Sequence, residues 1–167
     1  MSSPLSRRLG VYLRLGRVSN LPTVWSNVVA GIALGGGRIG ASAAVIAVAA
    51  SLFYVGGMFL NDAFDHRHDA RLQPTRPIPA GLIGAGEVYR IGFGLLGAGA
   101  LLMVATALAL DPARATRTAG AALALGASIV LYDMWHKGNA VGPVIMGTCR
   151  MLVYVCAAMI TAILTTT

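Results

Sequence analysis

Asn61-Asp62-Ala63-Phe64-Asp65-His66-Arg67-His68-Asp69 carries three of the six acidic residues in this 167-residue chain. It follows directly on a run of apolar and small residues, 41–60, long enough to cross a membrane. At about 100° per residue, positions 62, 65 and 69 fall within roughly 60° of one another on a helix. Three carboxylates on one face repel, and each costs several kcal/mol to desolvate unless a positive group sits among them. A hard divalent cation, Mg²⁺, takes oxygen ligands, so Asp62, Asp65 and Asp69 are the candidate catalytic and metal-binding carboxylates. Asn61 joins them as a polar ligand or an orienting group. Arg71 and Arg76, just downstream, are placed to form charge-assisted bonds with phosphate oxygens. A solvated acidic surface loop paired with Arg67 and Arg71 is the alternative. An EF-hand is excluded, because the alternating ligands and central glycine are missing.

These residues need a membrane scaffold. The chain is 56% hydrophobic and 11% charged, with mean hydropathy +0.72, whereas a soluble domain carries about 25% charged residues. Its 21 glycines suit closely packed transmembrane helices. The fold class is therefore all-α, a polytopic transmembrane helical bundle. The net charge of +7 does not indicate nucleic acid, since the basic residues gather at segment ends rather than along one soluble face. Cys149 and Cys156 lie in one apolar segment and form no disulfide or metal framework.

Residues 1–17 read as a basic, amphipathic lead-in at the membrane surface. They are too polar for a signal peptide. Residues 18–167 form the transmembrane domain, with five spans expected at 21–34, 41–60, 88–110, 116–132 and 143–164. Polar loops follow the second and fourth spans, the first rich in proline (Pro74, Pro77, Pro79) and the second containing Asp133, His136 and Lys137. Arg7, Arg8, Arg14, Arg17, Arg67, Arg71, Arg76, Arg90 and Lys137 fall on one side, against Arg38, Arg114 and Arg117 on the other. The positive-inside rule puts the N-terminus and the acidic stretch on the cytoplasmic side of a multi-pass membrane protein.

Polar residues within spans mark cavities or helix–helix hydrogen bonds. Asn20 and Asn27, seven apart on one face of the first span, are open to both readings. Arg150, one to two turns inside the fifth span, either faces the acidic site or snorkels to the interface. Tyr132 is a candidate cavity wall, as are Phe53, Tyr54, Trp135 and Tyr154. His66, His68 and His136 lack zinc-ligand spacing and read as interfacial or hydrogen-bonding groups.

Asn61-Asp62-x-x-Asp65-x-x-x-Asp69, followed by Arg76-Pro77-Ile78-Pro79-Ala80-Gly81, resembles the first aspartate-rich motif of the UbiA superfamily of intramembrane prenyltransferases. Arg14-Leu15-x-Arg17 with Asn20-x-Pro22 resembles that family's first helix. Leu131-Tyr132, Lys137 and Gly142-Pro143-x-x-Met146-Gly147-x-Cys149-Arg150 resemble its fourth-to-fifth-helix connection, most closely in the EboC-type branch. The resemblance implies Mg²⁺-dependent transfer of a prenyl group from an isoprenyl diphosphate to a lipid-soluble, possibly aromatic, acceptor. It carries Asn61, Asp62, Asp65 and Asp69 over as the first metal-binding motif and Lys137 as a diphosphate contact, beside Arg71 and Arg76 read above from the residues themselves.

The family's fold has two pseudo-repeated halves of about nine helices, each half with an aspartate-rich motif. Five spans and one such motif correspond to the N-terminal half. A longer enzyme, or a half that works with a second half-domain, is therefore expected. The alternatives are a non-catalytic isoprenoid-binding or transport subunit and an inactive fragment.

Overall fold

The computed structural model describes residues 4–162 as six α-helices. They are α1 (Pro4–Leu15), α2 (Leu21–Leu34), α3 (Ala41–Leu72), α4 (Ala85–Leu110), α5 (Pro112–Trp135) and α6 (Gly142–Thr161), with a 3-10 turn, Val18–Asn20, between α1 and α2. Residues 163 and 164 of the fifth expected span, and the terminal threonines, lie outside the described residues.

Four helices, α3 to α6, are long and apolar enough to cross a membrane. The first expected span is α2, whose 14 residues reach only about 21 Å, less than the hydrocarbon thickness. Helix α3 departs further from expectation. The second span was expected to end at 60 with a polar loop from 66, yet the helix continues through the acidic stretch to Leu72. At 32 residues it reaches about 48 Å, well beyond a ~30 Å core. Hydropathy falls where lipid ends, but nothing breaks the helix until Pro74 removes the αR option for Gln73. The acidic face is thus the continuous helical end of α3 rather than a loop.

Helix α3 is the spine, packed against α2, α4 and α5. Its Phe53 and Leu60 are buried with Leu96 and Met103 of α4, Leu125 of α5 and Ile160 of α6. Lipid is as apolar as leucine, so such helices hold together by close approach rather than by escape from water. Two glycines make the approach possible. A Cβ on Gly31 would lie 2.8 Å from the Tyr154 Cα, where α2 meets α6. One on Gly92 would lie 2.7 Å from the Leu60 Cγ, where α4 meets α3. Beside the first contact, the Tyr154 hydroxyl donates to Asn27 Oδ1 at 3.0 Å.

At the end remote from the acidic face, Asp111 caps α5 by accepting from the Ala113 N–H at 3.0 Å. That bond, helped by Arg114 at 2.9 Å, holds the Asp111 carboxyl below its ordinary pKa. Arg114 also donates to the Ile160 carbonyl at 3.1 Å, satisfying an orphan acceptor in the last turn of α6.

Helix α1 docks near the acidic face. Leu15 is buried with Phe59, Ile83 and Val88, and the Tyr12 and Phe59 rings stack with centroids 6.3 Å apart. Glu87, in the first turn of α4, accepts from Arg8 at 2.9 Å and from the Tyr12 hydroxyl at 2.5 Å. Donation to Glu87 raises the Tyr12 pKa.

Candidate functional site

Asn61, Asp62, Asp65 and Asp69 line the buried side of α3 in its last turns, at 8%, 9%, 7% and 2% exposure. Carboxylates this buried require countercharge, and three different segments deliver it. Arg76, from the proline-rich loop, places Nη1 2.7 Å from Asp69 Oδ2 and 3.4 Å from Asp62 Oδ1. Its Nε donates to Gln73 Oε1 at 2.7 Å, which fixes the guanidinium plane. Lys137, beyond the end of α5, lies 3.0 Å from Asp65 and 3.7 Å from Asp69. Arg17 approaches Asp62 at 3.6 Å. Arg17 adopts the left-handed conformation, φ 43°, between α1 and the 3-10 turn. For a non-glycine residue that geometry costs on the order of 1 kcal/mol and concentrates at functional sites.

The fourth contribution was not expected. Asp133, read from sequence as the start of a loop, lies inside α5 and is 3% exposed. Its Oδ1 accepts from Asn61 Nδ2 at 3.2 Å across α3 and α5. His136 Nε2 stands 3.7 Å from Asp65 while its Nδ1 faces the Tyr132 carbonyl at 3.0 Å. The His136 ring stacks on Tyr132 with centroids 4.8 Å apart.

These groups surround two polar cavities. The larger, about 360 Å³, is lined by Arg17, Asn61, Asp65, Asp69, Arg76 and Lys137, with Tyr132 and His136. The smaller, about 340 Å³, is lined by Asp65, Arg67, His68, Asp133, Met134 and Lys137. Asp65, His68 and Lys137 form the shared wall. Met134 also lines an open apolar groove of about 610 Å³ between α3, α4 and α5, walled by Phe53, Phe93, Leu96 and Leu123. The smaller polar cavity and the apolar groove thus meet at Met134.

Most of the residues singled out from sequence converge here, but four do not. Arg71 is exposed, about 200° round α3 from Asp69, and lines neither polar cavity. Arg150 is exposed on α6 and also lines neither. Asn27 binds Tyr154, so of its two readings the helix–helix hydrogen bond is the one observed. Asn20 is exposed in the 3-10 turn. In the other direction, Arg17, Asp133 and His136 belong to the site without having been assigned to it. Arg17 carried a signal, because it stands in the Arg14-Leu15-x-Arg17 stretch.

Among the described residues, no three Asp, Glu, His or Cys side chains converge at metal-ligand spacing. The donor set nevertheless suits a hard cation. It is all oxygen, from Asn61, Asp62, Asp65, Asp69 and Asp133. Three of the four carboxylates, Asp62, Asp65 and Asp69, pair with the basic side chains Arg17, Arg76 and Lys137. One buried oxygen of this set, Asp133 Oδ2, has no hydrogen-bond partner among the described residues.

Residues 19–166 match the UbiA prenyltransferase family. The chain is 37% identical over 127 residues to a digeranylgeranylglyceryl phosphate synthase of Ignicoccus hospitalis, covering 76% of this chain and 39% of that protein. It is 33% identical over 90 residues to the synthase of the same name from Methanopyrus kandleri, covering 53% of this chain and 33% of the relative. It thus spans well under half the length of these curated relatives. A solved structure from work on digeranylgeranylglyceryl phosphate synthase in membranes shares the fold, with TM-score 0.75 at 24% identity, over 89% of this chain and 52% of that one. Because that family's model matches nearly the whole chain, the chain belongs to the UbiA prenyltransferase family.

Proposed function

We propose that this chain forms one half of a prenyl-transfer site, in which the polar end of the bundle binds the diphosphate of an isoprenyl diphosphate. One observation carries the reading. A buried carboxylate face on α3 gathers Arg17, Arg76 and Lys137 from three separate segments around two polar cavities, the smaller of which shares Met134 with an apolar groove.

In this reading Arg76 and Lys137 contact the diphosphate oxygens, and Arg17 adds charge from the lead-in side. The allylic C–O bond breaks with its electron pair leaving on the diphosphate, and these cations stabilise the charge as it develops. The acceptor's nucleophilic atom bonds to the freed allylic carbon and loses its proton. Asn61, Asp62, Asp65 and Asp69 would hold Mg²⁺, and the ion, when bound, would supply further neutralisation of the leaving group. The groove between α3, α4 and α5 takes the prenyl tail and excludes water from the reacting carbon. The acceptor is a lipid-soluble molecule, and the relatives' name, digeranylgeranylglyceryl phosphate synthase, points to one bearing a glyceryl phosphate.

The residues that complete the site come from a second half-domain, consistent with the greater length of the relatives. The Arg and Lys distribution supports a cytoplasmic position for the polar end. The test is thermal unfolding of the detergent-purified chain with a non-hydrolysable allylic diphosphate analogue. Stabilisation in Mg²⁺ that EDTA and Lys137→Met both remove supports the reading. A melting temperature indifferent to the analogue at saturating concentration contradicts it.

A further inference from the structure

Asp133 stands apart from the other carboxylates of the site. Asp62, Asp65 and Asp69 each pair with Arg17, Arg76 or Lys137, but none of the described ion pairs includes Asp133. Its side chain is 3% exposed and makes one hydrogen bond, from Asn61 to Oδ1. Oδ2 is buried with nothing to accept from. A buried, unpaired carboxylate oxygen costs several kcal/mol unless a cation or proton meets it. Asp133 also lines the smaller cavity together with Asp65, so the two carboxylates, from α5 and α3, face one space.

We infer that Asp133 is an oxygen ligand contributed by α5 to the divalent cation of this site, with Oδ2 as the donor atom. The inference rests on the cation reading above and extends it to a second helix. Its Oδ1 has a separate task. By accepting from Asn61 Nδ2 it fixes that amide, leaving the Asn61 carbonyl oxygen as the group available to the larger cavity that Asn61 lines. A cation held from both α3 and α5 also ties these helices together. The acidic donors of this half of the fold therefore number four carboxylates and one amide, and they retain cation affinity in this chain alone.

The experiment uses Mn²⁺ as the probe, titrated into the detergent-purified chain and followed by electron paramagnetic resonance. Asp133→Asn has the shape of the neutral acid and keeps a partner for Asn61, so it preserves packing while removing the charged donor. Melting in EDTA checks that it folds. The expected result is Mn²⁺ affinity weakened about 10-fold or more in Asp133→Asn, with a comparable loss in Asp65→Ala. Wild-type affinity in Asp133→Asn beside a loss in Asp65→Ala overturns the Asp133 assignment alone. A wild-type chain that binds no Mn²⁺ overturns both it and the cation part of the proposed function. Asp133→Cys gives an independent readout, because a thiolate ligand prefers a soft metal. Cd²⁺ must bind Asp133→Cys more tightly than Asp133→Asn, and equal affinities contradict direct ligation.

Discussion

Arg76 and Asp69 form the tightest ion pair of the acidic face, Nη1 to Oδ2 at 2.7 Å, and the same nitrogen reaches Asp62 at 3.4 Å. One guanidinium thus spans the first and third carboxylates and ties the proline-rich loop to the end of α3. Replacing it with an uncharged residue strands Asp69, which is 2% exposed. Arg76→Met is expected to destabilise the chain by about 1–3 kcal/mol. That is below the range for a fully buried pair, because the Arg76 side chain is 29% exposed and Lys137 stays 3.7 Å from Asp69. Thermal unfolding in detergent measures this. Arg76→Lys recovers part of the stability but not the fork geometry, so analogue binding stays impaired.

Gly31 is the residue on which α2 rests against α6. A leucine there drives a side chain into the Tyr154 backbone, 2.8 Å from where its Cβ would sit. Gly31→Leu is expected to lower stability by about 1–3 kcal/mol, as overpacked interfaces do. Tyr154→Phe removes only the bond to Asn27 and costs about 0.6 kcal/mol, the average for a hydrogen bond between membrane helices. Comparing their melting temperatures separates steric from polar contributions at this interface.

Gly97 lines the apolar groove, and a Cβ added there meets nothing within 4 Å. A phenylalanine at this position fills the groove while leaving the helix contacts untouched. Gly97→Phe is expected to weaken binding of a long-chain allylic diphosphate analogue about 10-fold, with inorganic diphosphate affinity unchanged. Equal losses for both probes show that the groove does not house the tail.

Asp111 sets an acid limit at the far end of the bundle. Its folded pKa lies below the ordinary carboxylate value, first through the Ala113 N–H and then through Arg114. A depressed carboxylate pKa contributes stability above the unfolded value and loses it as pH falls through the folded value. Wild type is therefore expected to lose stability relative to Asp111→Asn as pH drops from 5 to about 3. Melting curves across that window check the sign.

Much of this was legible in the residues, for identifiable reasons. The spacing 62, 65, 69 is a helical spacing, so the carboxylates had to share a face wherever the helix went. What could not be read was where α3 stops, because hydropathy records the edge of the lipid and the helix outlasts it by twelve residues, from Leu60 to Leu72. Asp133 was equally hidden. A single acid after an apolar run looks like the start of a loop, and its partner Asn61 is 72 positions away. Arg71 misled for the opposite reason. It is close to Asp69 in sequence, but two helical residues rotate it by about 200°, to the exposed side. Arg76 is more distant, yet the turn after Pro74 brings it back.

The most direct measurement is the equilibrium affinity of a non-hydrolysable allylic diphosphate analogue for wild type and Asp65→Ala, each with Mg²⁺ and with EDTA. Asp65 holds Lys137 at 3.0 Å and walls both polar cavities, so it sits where head group, cation and lysine meet. A diphosphate site built on α3 requires tight binding only in wild type with Mg²⁺. Equal affinity in all four conditions means that the analogue binds elsewhere and that the acidic face is not the diphosphate site.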